Sequence, residues 1–247
     1  MRHVVIAGAS GAIGGAMAQA ILDAVPDSRI VGLCRRPERA AEPLQTSDRV
    51  ELIPWDAEHP ESLTGVTHAL ESVMPAEQGV DMLLYAAGIL HASDMFPEKR
   101  LEDLSATAMT RAFAVNATGF AVLVRALLPW FRHRRFKRIA AISAKVGSIS
   151  DNRLGGWYAY RSSKAALNML VRTLSVELPR RCKPVACVAM HPGTTESELS
   201  APFGQSLAQL QVHQPADTAA NLMTVLEGVS SDDNGRFLSW DGSELPW

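Results

Sequence analysis

The stretch Val4-Val5-Ile6-Ala7-Gly8-Ala9-Ser10-Gly11-Ala12-Ile13-Gly14 decides how the rest of the chain is read. It predicts a short buried strand, a tight glycine turn and a helix that continues to about Val25, where Pro26-Asp27 stops it. Glycine tolerates positive φ and lets a ligand or another chain come close to the backbone. A helix opening on such a turn aims unpaired N–H groups and the positive end of its dipole outward, which suits a pyrophosphate. Glycines kept only for packing would give the same stretch, so the remainder of the chain must decide between the two.

Beyond the helix, Arg29–Cys34 reads as a second strand and Val50–Pro54 as a third, with Asp56-Ala57 just after it. A helix over Glu61 to Met74 precedes a fourth strand, Val80–Ala87, which ends in Ala86-Ala87-Gly88. Its unbroken apolar run after Asp81 suits a parallel sheet covered on both faces. Residues 105–135 read as one long helix or two joined ones, and Arg138–Ser143 as the fifth strand. A glycine- and serine-rich loop, Gly147 to Gly156, leads to a helix whose Leu167, Leu170, Val171, Leu174 and Leu178 line one buried face. Pro184–Met190 is the sixth strand, and polar residues to about Gln214 form a loop with a short helix. A helix from Pro215 to Leu226 and a strand over Gly235–Ser239 close the chain. Strands alternate with helices and no linker or repeat intervenes. The expectation is one α/β domain over residues 1–247, doubly wound around a mostly parallel sheet of about seven strands.

Composition agrees with that class. The 247 residues are 47% hydrophobic and 20% charged, with a net charge of −2, which gives no reason to expect nucleic acid or an anionic membrane as partner. The cluster Arg132-His133-Arg134-Arg135-Phe136-Lys137-Arg138 is read as a solvated helix C-terminus, where cations complement the dipole. No apolar run reaches membrane-spanning length and no cationic leader precedes the first strand, so a cytoplasmic chain is expected. Cys34, Cys182 and Cys187 form no CxxC pair and are expected to be reduced and structural, without a metal site.

Two places carry chemistry. Arg35 and Arg36 follow the second strand, beside the adenosine ribose of any dinucleotide on the first turn. A carboxylate there bonds the 2′-hydroxyl of NAD, and an arginine accommodates the 2′-phosphate of NADP. A solvated arginine pair is the bland alternative. Tyr160 and Lys164, four residues apart on a helix, share a face. An ammonium nearby favours the phenolate and lowers a tyrosine pKa from about 10, so that the pair can protonate a carbonyl oxygen as hydride arrives.

Over essentially its whole length the chain resembles the short-chain dehydrogenase/reductase family, with the motifs in the family's order. Gly8-Ala9-Ser10-Gly11-Ala12-Ile13-Gly14 resembles the TGxxxGxG cofactor turn, with Ala7 for the threonine and Ala12 for the middle glycine. Asp56 resembles the acidic residue that meets adenine, with Ala57 beside it. Tyr85-Ala86-Ala87-Gly88 resembles NNAG with both asparagines lost. Asn116 resembles the catalytic asparagine that holds a relay water, and Tyr160 with Lys164 resembles YxxxK. Pro192-Gly193, with Thr195 and Ser197, resembles the PGxVxT stretch beside the nicotinamide. Gly147–Asn152 and the closing Trp240–Trp247 look like the C-factor and sniffer-type carbonyl reductase branch.

The resemblance implies a Rossmann-type fold and NADP(H), with NAD(H) as second choice. It further implies a small carbonyl or secondary-alcohol substrate, a substrate loop near residues 194–214, and a homodimer or homotetramer. Tyr160 would be the acid/base, Lys164 would tune it and hold the ribose, and Asn116 would serve the relay. The family's strand-end Ser-Ser is here Ser143-Ala144. Strand side chains alternate faces, so a regular strand would turn Ser143 from the pocket. A bulge re-aiming Ser143, a loop hydroxyl such as Ser148, or Tyr160 alone remain open, with Ser143 preferred. A nucleotide-binding signalling protein with little turnover is the rival function.

Overall fold

In the computed structural model, which describes residues 2–59, 62–203 and 211–247, the N-terminal glycine-turn stretch folds as β1 (His3–Ala7), a turn over residues 8–11 and α1 (Ala12–Ala24). The chain goes on through β2 (Arg29–Cys34), a short α2 (Glu42–Thr46), β3 (Val50–Pro54), α3 (Leu63–Val73) and β4 (Met82–Tyr85). Next come α4 (Ala106–Phe113), a π turn (Ala114–Thr118), α5 (Gly119–Ala126), β5 (Lys137–Ile142) and α6 (Tyr158–Cys182). The remainder is β6 (Val185–His191), β7 (Thr194–Thr195), β8 (Val212–His213), α7 (Pro215–Gly228) and β9 (Phe237–Ser239).

Seven strands make one sheet in the order β3-β2-β1-β4-β5-β6-β9, every adjacent pair parallel. The chain builds one half outward from β1 and then returns to lay β4 against β1's other side. The crevice beyond the carboxyl ends of β1 and β4 is therefore the topological switch point, where open α/β sheets bind their ligands. Alternation along the strands feeds two cores. Val5, Ala7, Leu83, Tyr85, Ile139 and Ala141 pack under α3, α5 and α6, whereas Val4, Ile6, Met82, Leu84, Ala140 and Ile142 pack under α1 and α7. Both faces being covered explains why these strands read as continuous apolar runs.

Several expectations need correction. β4 is shorter than Val80–Ala87, although ladder-like bonds from Asp81 N–H to His3 O and from Ala86 N–H to Ala7 O (both 2.8 Å) flank it. Between residues 105 and 135 the helix is broken by the π turn, and a 3₁₀ turn ends it at Phe131. The basic cluster after it is no solvated helix end. Arg135 pairs with Asp81 (2.6 Å), and Lys137 is fully buried with Nζ donating to His133 O (2.6 Å) and Arg135 O (2.7 Å). Of the expected loop to Gln214, residues 204–210 lie outside the described residues; the flanks form the two-stranded parallel ladder β7–β8. Glu61, expected to start a helix, is also outside them. By length and composition the helical run Ala106–Ala126 could cross a membrane, contrary to the expectation that no run reaches that length. In this fold its Ala117, Phe120, Leu123 and Val124 are buried in the core beneath α3 and α6.

Candidate active site

At the switch point the backbone turns where only glycine fits. Gly8 has φ 88°, and a Cβ on it would stand 2.7 Å from the Ala87 amide nitrogen at the end of β4. A Cβ on Gly14 would overlap the Gly8 carbonyl. The turn is thereby locked between β1, β4 and α1. No side chain caps α1 at Gly11, so the amides of its first turn, over Ala12, Ile13 and Gly14, are left for an anion in the crevice. Ser10 is hydrogen-bonded to the buried Cys34 thiol, whose pKa burial raises. Beyond Cys34, Arg35 and Arg36 are exposed, and neither guanidinium has a partner among the described residues. Asp56 accepts from the Glu58 N–H (3.0 Å), and Ala57 is buried against Gly119.

The loss of the two asparagines after β4 has a structural counterpart. Tyr85 is wholly buried, wedged between Trp55 and Phe120, and donates its hydroxyl to Val115 O (2.5 Å). Burial pushes its pKa far up, so it stays a neutral donor. That bond pins the π turn, and the π turn carries Asn116. Asn116 is fully buried: Nδ2 donates to Ile89 O and Ser163 Oγ (both 2.9 Å), and Oδ1 accepts from the Ile89 N–H (2.8 Å). Tyr85 and Asn116 together clamp the chain as it leaves β4.

Lys164 arrives from α6. Its Nζ donates to Ile142 O at the end of β5 (2.8 Å) and lies 5.8 Å from the centre of the Tyr160 ring. A Cβ at Gly88 would lie 3.4 Å from Asn116 Oδ1 and 3.6 Å from Lys164 Nζ, so both polar groups stand against this exposed backbone. Burial holds Tyr160 up to about 12 and Lys164 down to about 8. The expected lowering of the tyrosine by the lysine is absent here. The ammonium is directed at a carbonyl, and loss of water dominates for both groups.

An aromatic wall, unforeseen from the sequence, stands beside the tyrosine. Trp157 lies 6.2 Å from Tyr160 and 5.1 Å from Phe203, ring centre to ring centre. His91 packs on Phe96 and Phe203, and its Nε2 donates to the carbonyls of Glu198 (3.1 Å) and Leu199 (3.2 Å). The segment after β4 and the segment after β7 are thus joined across the mouth of the crevice.

The short chain dehydrogenase model matches residues 2–208. The chain belongs to the short chain dehydrogenase family. Among its relatives is the C-signal of Myxococcus xanthus, 34% identical over 168 residues that make up 68% of this chain and 93% of the relative. Carbonyl reductase Sniffer of D. melanogaster superposes with a TM-score of 0.87 at 24% identity, with 100% of both chains covered. The NADPH-bound carbonyl reductase from chicken fatty liver gives 0.86 at 25% identity over 100% of this chain and 99% of that one. Membership places the chain among oxidoreductases built to hold a nicotinamide cofactor. The residues present fit one, with an uncapped helix start, a free arginine pair and two polar groups facing open backbone at Gly88.

Not every expected residue of this short chain dehydrogenase faces the crevice. β5 keeps its register past its end: the Ser143 N–H bonds Met190 O (2.7 Å), and Ala144 remains extended. No bulge re-aims Ser143. It is buried, with its hydroxyl donating to Asn168 Oδ1 on α6 (2.6 Å). Ser148 is buried too and accepts from the Asp151 N–H (3.2 Å). Thr195 is buried, hydroxyl to hydroxyl with Thr218 (2.9 Å). Ser197 is bonded to Ser200, and Pro192-Gly193 turns with φ 75° at Gly193, against Trp240 and His213. The two motifs of the sniffer-type branch meet, Ser150 donating from N–H and Oγ to Trp247 O (3.1 and 2.8 Å). Sequence reasoning misses Asn168, although it continues the four-residue spacing of Tyr160 and Lys164 along one helix face.

Proposed function

We propose that this chain is an NADP(H)-dependent reductase of small carbonyl compounds, able to oxidise the matching secondary alcohols. The observation that carries the reading is the convergence of Tyr160, Lys164 and Asn116 at the mouth of the switch-point crevice, next to the Gly8–Gly14 turn. The nicotinamide supplies hydride chemistry when bound. Gly8, Gly11 and the first amides of α1 bind its pyrophosphate, Arg35 and Arg36 the 2′-phosphate, Asp56 and Ala57 the adenine end. Ala86, Ala87, Gly88 and Pro192-Gly193 bound the nicotinamide end. Tyr160, held near 12, keeps its proton at neutral pH and gives it to the substrate oxygen. Lys164 steadies the negative charge that develops on the phenol and bonds a ribose hydroxyl, and Asn116 holds the relay against the π turn. With Ser143 and Ser148 turned into the protein, Tyr160 polarises the substrate oxygen alone, and residues 194–214 serve as the substrate loop. The three cysteines, all free and buried, suit a reducing compartment.

That inward-turned hydroxyl also favours a second reading, a nucleotide-binding signalling protein with slow turnover or none. A screen with NADPH and NADH against aldehydes, ketones and quinones decides between them. Oxidation of NADPH in the presence of one class supports the reductase. Tight NADPH binding without turnover on any of them supports the sensor.

A further inference from the structure

The first turn of α6 carries Tyr160, yet its own sequence does not cap it. The residue in front, Trp157, offers no side-chain cap and lies in the left-handed region (φ 51°, ψ 44°), the one non-glycine residue with positive φ among those described. A bulky residue holds that conformation only where its surroundings impose it. The surroundings here are Glu98, on the long segment between β4 and α4. Its carbonyl accepts from the Trp157 N–H (2.6 Å), and its carboxylate Oε2 accepts from the Ala159 N–H (3.2 Å). Ala159 occupies the second helical position, the one a local Ser or Asp cap usually serves. Glu98 is 3% exposed and its second oxygen, Oε1, is buried without a partner among the described residues. A half-satisfied buried carboxylate is unfavourable for folding, and here it is held in place by the cap it gives to the turn that carries Tyr160.

We propose that Glu98 is a positioning residue for the reaction. By capping α6 from another segment it holds Trp157 left-handed and so fixes the angle at which the adjoining Tyr160 phenol meets the substrate. The proposal rests on the reading of Tyr160 as acid/base. Because one oxygen makes the cap, the amide oxygen of Glu98→Gln should serve as well, whereas Glu98→Ala and the shorter Glu98→Asp leave the Ala159 N–H unbonded.

The test measures kcat, KM, NADPH affinity and amide exchange at Ala159 in these three variants, with Tyr160→Phe alongside. Glu98→Ala and Glu98→Asp should lose roughly ten- to a hundredfold in kcat, as a small misplacement of a reacting group does. KM and NADPH affinity should stay near wild type, and exchange at Ala159 should quicken. Glu98→Gln should restore kcat and protection together. Wild-type kcat in Glu98→Asp, or a glutamine variant as impaired as the aspartate one, overturns the proposal. If Glu98→Ala does not fold, the Asp and Gln pair still decides. Turnover persisting in Tyr160→Phe would instead overturn the parent reading, while exchange at Ala159 would still report the cap.

Discussion

One strand has a buried lysine at each of its ends, the first its own and the second reaching it from α6. Lys137 opens β5 at the edge of the sheet away from the crevice, and Lys164 bonds Ile142 O, which closes β5 at the crevice. Burial lowers the pKa of both. Their surroundings differ. Lys137 donates to two carbonyls within 2.7 Å. Lys164 donates to one carbonyl, lies against a tyrosine ring, and burial alone accounts for its fall to about 8. The first is a satisfied staple. The second has donors to spare and a proton it can lose near neutral pH, which is what a site needs and a core avoids.

Substitutions put the contrast between the two lysines at risk. The largest effect is expected at the partner of the second lysine: Tyr160→Phe should lower kcat by a factor of roughly a thousand or more, because the proton donor is gone. NADPH affinity, read by fluorescence titration, should hardly move. Lys164→Met should reduce kcat and weaken NADPH binding, yet keep the midpoint of thermal unfolding near wild type, because removing a buried ammonium offsets the bond lost to Ile142 O. The sign of that offset comes from the lowered pKa. The fold disfavours the charged form, and that penalty is full below about pH 8 and fades as the pH rises toward 10.5. By the same reasoning kcat for reduction should stay level up to about pH 8 and fall above it. A flat profile through pH 9 would remove Lys164 from the proton chemistry.

Arg35→Glu should weaken NADPH by roughly ten- to a hundredfold, through a lost charge-assisted bond, and leave NADH binding nearly unchanged. Equal affinity for both cofactors in the parent chain would contradict the role given to the arginines. Lys137→Met should leave kcat alone and cost about 1–3 kcal/mol in chemical denaturation, since two buried carbonyls lose their donor. The smallest effect is expected from Ser143→Ala, about 1 kcal/mol of stability from its bond to Asn168, with kcat changed little. A large fall in kcat at unchanged stability would return Ser143 to the substrate.

Much of the fold and part of the site are legible in the sequence. β2 and β3 fall where short apolar runs meet Pro, Arg or Asp, and α1 starts where the glycine turn ends. The pairing of Tyr160 with Lys164 needs only helical spacing. The staple under Lys137 is not legible, because Asp81 and Gln78, the partners of Arg135, lie more than fifty residues upstream of it and nothing local marks them. A run of cations looks the same whether water or a carboxylate awaits it. Ser143 is legible as a condition: alternation says where a regular strand would turn it, and only the structure shows that β5 stays regular. Glu98 carries no signal, since it caps a helix far along the chain.

The π turn at Ala114–Thr118 does more than present Asn116. A π turn is an α-helical turn with one extra residue, which shifts the phase of everything after it by about 100°. α4 and α5 are thus one helix written in two phases. Ala112 ahead of the turn faces the small cluster with Met95 and Ala159, and Phe120, Leu123 and Val124 behind it face the main core. Deleting one residue of the turn would close it to an α-helical turn and leave the second set facing the core. Such a deletion should keep cooperative unfolding and abolish activity by removing the seat of Asn116, so that at this point the chain can shed its chemistry by a shortening and keep its shape.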